Sequence, residues 1–312
     1  MPQGFSNPPN ERLRAIRSRQ NALVKELRRA FSQSMPAADG SVAIEGPTLV
    51  KEAIRSGLRL RAIFFAESAQ ERAGRLLSQL DTQAGPQHGS ITEAILLPDE
   101  IFQSAVASQS PQGVAALVYP LPATLEDLFQ GGPHLPDVGQ CGDEEELEGA
   151  PYLPVVGRCG NAAPLILGCA GLQDPGNFGA ILRSAEAFGA SGVLATEGTV
   201  SAANPKVARA SAGSVFRLPV VRLSEDEAIA AVREHNVRLA VASSHQGRPA
   251  RAIDLTGPIA IFIGNEGQGV PRALLDAADE AILIPQSPRV ESLNAAIAAS
   301  ILLYEAHRQR SW

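Results

Sequence analysis

Three stretches in the second half of the chain hold residue types and spacings that could do chemistry. Residues 259–270, IAIFIGNEGQGV, run from an apolar strand into a turn with glycine at 264, 267 and 269. Three glycines let a backbone approach a ligand closely. Glu266 inside that turn sets a carboxylate at the C-terminal edge of a sheet, where open α/β folds bind their ligands. The spacing is neither the dinucleotide G-x-G-x-x-G nor a Walker loop, for no Lys-Ser/Thr follows. Residues 284–305, IPQSPRVESLNAAIAASILLYE, read as the end of a buried strand, a two-proline turn and a long helix opening at Ser292. Glu291, Ser292 and Asn294 then stand beside the unpaired N–H donors of a first helical turn. Residues 171–190, GLQDPGNFGAILRSAEAFGA, give a turn and a helix with Asp174 or Asn177 as N-cap. On that helix Ile181, Ala185 and Phe188 share a buried face and Arg183 lies off it. Each stretch alone has a plain alternative: an ordinary αβ turn, a capping role for Asn177, an ion pair of Arg183 with Glu186 three residues on.

Taken together and in this order, the three stretches resemble the SpoU (TrmH-like) RNA ribose methyltransferases of the SPOUT class, over residues 164–312. The N-x-G-x-x-x-R pattern is complete as Asn177, Gly179 and Arg183, and the Val-Glu-Ser-Leu-Asn core is complete at residues 290–294. SRQNALVKELRR (18–29), AIEGPTLVKEAIRSG (43–57) and SPQGVAAL (110–117) are similar to the substrate-binding domain that often precedes such enzymes. One departure stands out. Where many members have methionine and then glycine after Ile-Pro, this chain has Gln286, Ser287, Pro288 and Arg289.

The resemblance implies an enzyme that moves a methyl group from S-adenosylmethionine to a ribose 2′-hydroxyl, in ribosomal RNA ahead of transfer RNA. It implies cofactor binding through backbone at Gly264, Ile284 and Leu293, with Asn265 and Gly267 in the same loop. Arg183 matches the family's catalytic arginine, and Asn177, Glu266, Ser292 and Asn294 would orient it and the ribose. Residues 204–214, NPKVARASAGS, are also family-like, and Lys206 and Arg209 on a short basic helix would hold RNA phosphates. The resemblance further implies a deep trefoil knot in the C-terminal domain and a homodimer through it. Three rivals stay open: a tRNA 2′-O-methyltransferase, a non-catalytic RNA-binding or ribosome-assembly protein on the same scaffold, and a nicotinamide-dependent Rossmann enzyme. The missing phosphate fingerprint weighs against the last.

The elements that must position these residues follow from pattern and composition. A chain of 312 residues suggests two domains. Up to Tyr119 strands and helices alternate: strands at 41–44, 60–66, 94–97 and 114–119, helices at 11–31, 48–56, 69–80 and 99–107. They make a small α/β sandwich, residues 1–120, for which the resemblance implies a fold like ribosomal protein L30e. Residues 121–163 are a Gly/Pro-rich acidic linker or insert with little periodicity, expected to be disordered. From 164 to 312 alternation resumes, with strands at 165–169, 193–195, 220–223, 239–242, 259–263 and 281–284. Helices fall at 177–188, 204–212, 225–235, 271–277 and 292–308. Short continuous apolar strands indicate a parallel sheet covered on both faces. The last helix is apolar nearly all round, so a sheet must cover one side and a second copy of the chain the other.

Net charge is −6, unevenly spread. Residues 1–63 hold eleven Lys/Arg against five Asp/Glu, and residues 121–163 hold eight Asp/Glu against one Arg. A basic N-terminal segment, Arg19 and Lys25 included, suits local RNA contacts despite the acidic total. No apolar run reaches the ~18 residues of a membrane span, and the start carries no signal-peptide core. Cys141, Cys159 and Cys169 lack ligand spacing and an even disulfide set. They read as reduced thiols in a cytoplasm, without a metal; a Cys141–Cys159 zinc pair with His134 is the alternative.

Overall fold

Apolar runs bounded by Gly, Pro and Asn set the strands, and the computed structural model describes residues 13–83, 93–106, 108, 110–130, 163–287 and 289–310, with backbone alone for 78–83. These residues fall into two compact units. The first is drawn from Met1–Pro122, Gln173–Arg183 and Val200–Phe216, the second from Ala123–Leu172, Ser184–Thr199 and Arg217–Trp312. His134, Cys141, Cys159 and most of the 121–163 segment lie outside the described residues.

In the first unit β1 (Leu13–Ala15), β2 (Val42–Glu45), β3 (Arg59–Ala66), β4 (Glu93–Leu97) and β5 (Val114–Tyr119) form one sheet in the order β1-β4-β3-β5-β2. β1, β4 and β3 run parallel; β5 is antiparallel to both β3 and β2. Period-2 alternation sorts the side chains onto two faces. Val42, Ile44, Phe65, Val114 and Val118 pack under α2 (Pro47–Arg55) and α3 (Gln70–Gln83). Ala43, Phe64, Ala115 and Leu117 pack under α1 (Ala22–Gln33) and α4 (Asp99–Ala105). The single helix expected over residues 11–31 is instead two elements. Asn21 caps α1 by accepting from the Leu23 N–H at 3.0 Å, and Leu13–Ala15 pairs along β4. A capping asparagine ends one element and starts the next, so Leu13 and Ile16 pack from a strand and its end rather than from the helix.

In the second unit α5 (Leu125–Phe129) precedes a seven-stranded sheet. The chain continues through β6 (Leu165–Ala170), α6 (Pro175–Ala187), β7 (Gly192–Ala195), α7 (Pro205–Ala210), β8 (Val220–Arg222), α8 (Glu225–Glu234), β9 (Arg238–Ser243), β10 (Arg248–Pro249), β11 (Ile259–Gly264), α9 (Arg272–Ala277), β12 (Glu280–Leu283) and α10 (Ala295–Arg310), of which α7 and α6 up to Arg183 belong to the first unit. The sheet order is β10-β12-β9-β11-β6-β7-β8, with every pair parallel. This is the expected parallel α/β sheet, with β10 as an unforeseen edge strand. β11 enters between β9 and β6, both earlier in the chain. Gly168 of β6 sits opposite Phe262 of β11, where a Cβ would lie 2.1 Å from the ring. The two central strands therefore mesh through an aromatic over a glycine.

Two features of this unit depart from the sequence reading. The first turn of the linker is ordered. Thr124 and Asp127 form a reciprocal capping box, Leu128 is fully buried, and Phe129 stacks on His235 with ring centroids 3.9 Å apart. The other is the end of α10. Arg310 donates to the carbonyls of Ala163 at 2.5 Å, Gly257 at 2.6 Å and Leu255 at 2.8 Å. One guanidinium thus ties the last helical turn to the entry of β6 and to the loop before β11. Arg310→Ala should lower the free energy of chemical unfolding by roughly 2–4 kcal/mol, the scale of losing charged hydrogen bonds and stranding their carbonyls. An unchanged denaturation midpoint would count against this clamp.

Candidate functional site

The loops after β6, β7, β11 and β12 leave the same, C-terminal edge of the second sheet. After β11 the chain folds back at once: Asn265 and Gly269 exchange backbone hydrogen bonds of 3.2 and 2.8 Å. The Asn265 side chain organises the turn, its Oδ1 accepting from Gly267 N–H at 2.7 Å and its Nδ2 donating to the Gly171 carbonyl at 2.9 Å. The loops after β6 and β11 are therefore tied together. Gly264 has a reason the sequence did not reveal. A Cβ there would stand 2.0 Å from the Gly269 carbonyl carbon and 2.2 Å from the Val270 nitrogen. The glycine permits the loop to close on itself, whatever ligand it meets. Glu266, Gly267 and Gln268 are exposed at the tip.

Thr199, buried after β7, donates to the Cys169 carbonyl at 2.9 Å and accepts from Leu172 N–H at 3.3 Å, holding the β6 loop from the other side. Sequence reasoning missed Thr199; a lone threonine past a strand carries no signal. Cys169 itself is buried, and burial pushes its thiol far above the usual range, so it is no nucleophile.

Ile284 follows β12, which β9 separates from β11. That places it about 10 Å from Gly264 along the same sheet edge. Leu293 is half-buried in the approach to α10, and Ser292 is exposed there. The helix does not open at Ser292 as expected. Asn294 is its cap, with Oδ1 accepting from Ala296 N–H at 2.9 Å and Ile297 N–H at 3.3 Å. Glu291 and Ser292 thus belong to an irregular loop. Gln286 closes that loop, donating to the carbonyls of Val290 and Glu291 at 3.3 Å each. The unusual Gln-Ser-Pro-Arg segment therefore supplies its own brace; Pro288 lies outside the described residues.

The first unit holds the other candidates. Asp174, not Asn177, caps α6, accepting from the Asn177 N–H at 2.7 Å. Six helical positions separate Asn177 and Arg183, about 9 Å along the axis and on different faces. Gly179 and Arg183, four apart, share one face. Gly179 is buried where α6 crosses α7: a Cβ there would sit 2.4 Å from the Ala210 Cβ and 2.9 Å from the Val207 carbonyl oxygen. Arg183 is exposed and, among the described residues, forms no ion pair and no side-chain hydrogen bond. The expected alternative partner, Glu186, is held by Arg217, whose Nη2 donates at 2.9 Å.

The basic residues expected to meet RNA do not share a face. Lys25 rides on α1 and Arg19 precedes it, pairing with Glu100 at 3.6 Å. α1 covers one face of the five-stranded sheet, whereas α7, with Lys206 and Arg209, packs through Ala208 on the opposite face. Lys206 is exposed with no side-chain partner among the described residues. Arg209 lies 3.9 Å from Glu45, a carboxylate whose side chain is only 5% exposed.

Comparison with known proteins bears on the whole chain. The model of the family described as "SpoU rRNA Methylase family" matches residues 164–304. An uncharacterised tRNA/rRNA methyltransferase of Synechocystis sp. is 30% identical over 97% of this chain and 97% of its own length. The 23S rRNA (guanosine(2553)-2′-O)-methyltransferase RlmP of Bacillus subtilis is 28% identical over 94% of this chain and 98% of its own. The AdoMet-bound rRNA methyltransferase from Sinorhizobium meliloti shares the fold, with TM-score 0.73, 24% identity and coverage of 95% and 98%.

Proposed function

The chain belongs to the SpoU rRNA methylase family, and from that premise we propose that it transfers the methyl group of S-adenosylmethionine to a ribose 2′-hydroxyl, in ribosomal rather than transfer RNA. The observation that carries the reading is Arg183: an exposed guanidinium, unpaired among the described residues, one turn past a glycine crossing that seats its helix on α7. Such a group is suited to an anionic partner.

The loops at the sheet edge fit the cofactor. The turn after β11 is braced by Asn265 before any ligand arrives, and Gly267, which has no side chain of its own, is exposed at its tip. Gly264, Asn265, Gly267, Ile284 and Leu293 would hold S-adenosylmethionine. When bound, it supplies a methyl carbon made electrophilic by a sulfonium. Arg183 binds the phosphate of the target nucleotide and stabilises the alkoxide that develops on the 2′-oxygen. Arginine side chains keep their proton in proteins, so the hydroxyl proton leaves to that phosphate or to water. Asn177, Glu266, Ser292 and Asn294 keep the orienting roles implied by their motifs, Asn294 through its cap. Lys206, Arg19 and Lys25 are the proposed phosphate contacts along the RNA.

Residues 1–120 are proposed as an L30e-like substrate-binding domain, 121–163 as a linker without chemistry, and 164–312 as a knotted methyltransferase domain. The knot is proposed from membership of the family. Among the described residues no helix is long and apolar enough to cross a membrane; an RNA substrate and the free thiol of Cys169 suit a cytoplasmic enzyme.

The test is methyl transfer from labelled S-adenosylmethionine to purified rRNA and tRNA, with the product mapped by resistance of the modified linkage to alkali. Label in tRNA alone would overturn the substrate class, and label on a base would overturn the ribose chemistry.

The homodimer is proposed on the outer face of α10. Its inner face, Ala295, Ala299, Leu302, Leu303 and Ala306, is buried, while Ile297, Ile301 and Tyr304 project at i, i+4, i+7 and are 52%, 39% and 55% exposed. A stripe of this kind calls for a second copy to cover it. Light scattering should give a dimer at micromolar concentration, and Ile301→Arg a monomer. A fully active wild-type monomer would rule the interface out.

A further inference from the structure

One carboxylate in the first unit has no obvious employment. Glu45 ends β2 inside the protein, and its Oε2 is buried without a hydrogen-bond partner. Burial raises its pKa, opposed by the nearby Arg209 charge and the Gln112 backbone N–H. A buried carboxylate oxygen without a hydrogen bond is costly, and a half-exposed arginine held near it gives up freedom that a simple phosphate contact would keep.

The surroundings explain what the pair does. Arg209 is on α7, and α7 is fastened to the β2 face. Ala208 and Phe216 enter the same core as Val42, Ile44 and Val50. After the helix the chain turns through Ala212 (φ 50°) and Gly213 (φ 90°), and a Cβ on Gly213 would lie 2.5 Å from the Glu52 Cγ. On its other side α7 meets α6 at Gly179, whose Cα faces the Ala210 methyl and the backbone of Val207 and Ser211, with only that one methyl between the two helices. Arg183 stands one turn beyond that crossing, on the same face.

We infer that Glu45 and Arg209 are positioning residues for Arg183: their ion pair holds α7 on the sheet of the RNA-binding domain, and α7 sets the place of Arg183 through Gly179. The inference rests on the proposed role of Arg183 in methyl transfer. It removes Arg209 from the RNA contacts expected of the basic α7 helix and leaves Lys206 there. Contiguous packing of this kind can carry coupling between elements.

The test uses the full chain with Glu45→Gln, Arg209→Ala, Arg209→Lys, their double variant and Arg183→Ala. Thermal unfolding, cofactor calorimetry, RNA affinity against salt and single-turnover methyl transfer at saturating RNA are measured for each. Glu45→Gln and Arg209→Ala should each slow the single turnover by about tenfold, and the double variant no further than either. RNA affinity and its salt slope should match wild type, and Arg209→Lys, which keeps the charge, should recover most of the rate. If Arg209→Ala instead lowers the salt slope by about one and turns over normally at saturating RNA, Arg209 is a phosphate contact and the inference fails. Wild-type rates for Glu45→Gln and Arg209→Ala, with Arg183→Ala inactive, overturn the inference and leave the role of Arg183 intact. A wild-type rate for Arg183→Ala overturns that role itself. Should Glu45→Gln fail to fold, the Arg209 pair decides: slowing that Arg209→Lys does not relieve means support for the fold alone, against the inference.

Discussion

Arg183→Ala is expected to slow single-turnover methyl transfer at least about a hundredfold while S-adenosylmethionine affinity stays near wild type. The magnitude is that of removing one donor aimed at a developing oxyanion. The prediction follows from what surrounds the residue. Arg183 is exposed and unpaired among the described residues, so its loss costs the fold little. It plays no part in the bracing of the β11 turn, which Asn265 performs. Arg183→Lys should rescue poorly, because lysine lacks the planar fork that grips a phosphate at two points. Lost cofactor affinity with an intact rate at saturating cofactor would show that Arg183 serves binding and not catalysis.

Gly264→Val should do the opposite and abolish cofactor binding first. The first Cβ would fall 2.0–2.2 Å from the backbone of Gly269 and Val270, which cannot retreat because Asn265 and Gly269 are locked in a mutual hydrogen-bonded pair. The turn must open, and affinity should fall by about a hundredfold or more, matching the ~3 kcal/mol upper range of overpacking costs. Asn265→Ala is the gentler companion. It removes the side-chain bonds to Gly267 and Gly171 without adding bulk, and should weaken affinity by about tenfold. Wild-type affinity in both variants, read by calorimetry, would show that the β11 turn is not where the cofactor is held.

The two variants also separate what a glycine means. The sequence suggested that Gly264 admits a ligand and that Gly179 belongs to a motif. The structure gives each an internal reason: one lets a loop close, the other lets two helices touch. A substitution at either changes the protein before any ligand is present, so affinity and turnover must be measured beside stability.

The chain itself determined much of this protein. Apart from β1 and β10, the strands of both sheets were legible because each is an apolar run bounded by breakers, and the parallel sheet because those runs lack polar alternation. The ranges of α2 and α8 were legible to within about a residue, and the structure starts them at Pro47 and at the Ser224–Glu227 capping box, signals that act within four residues. The candidate residues Asn177, Arg183, Gly264 and Glu266 were legible through motifs compact in sequence. Tertiary structure decided the rest. Residues 11–31 became a strand and a helix because β4, some 80 positions away, offered an open edge to Leu13–Ala15. Residues 200–216 joined the first unit because Ala208 and Phe216 fill a core built from residues more than 80 positions earlier. Arg209, a solvated cation to any local reading, became the neighbour of a buried Glu45, and Arg217, not Arg183, took Glu186. Local sequence records the backbone angles a residue prefers and the side it buries. It holds no record of which distant side chain will arrive opposite, because that partner is chosen by the packing of the whole chain.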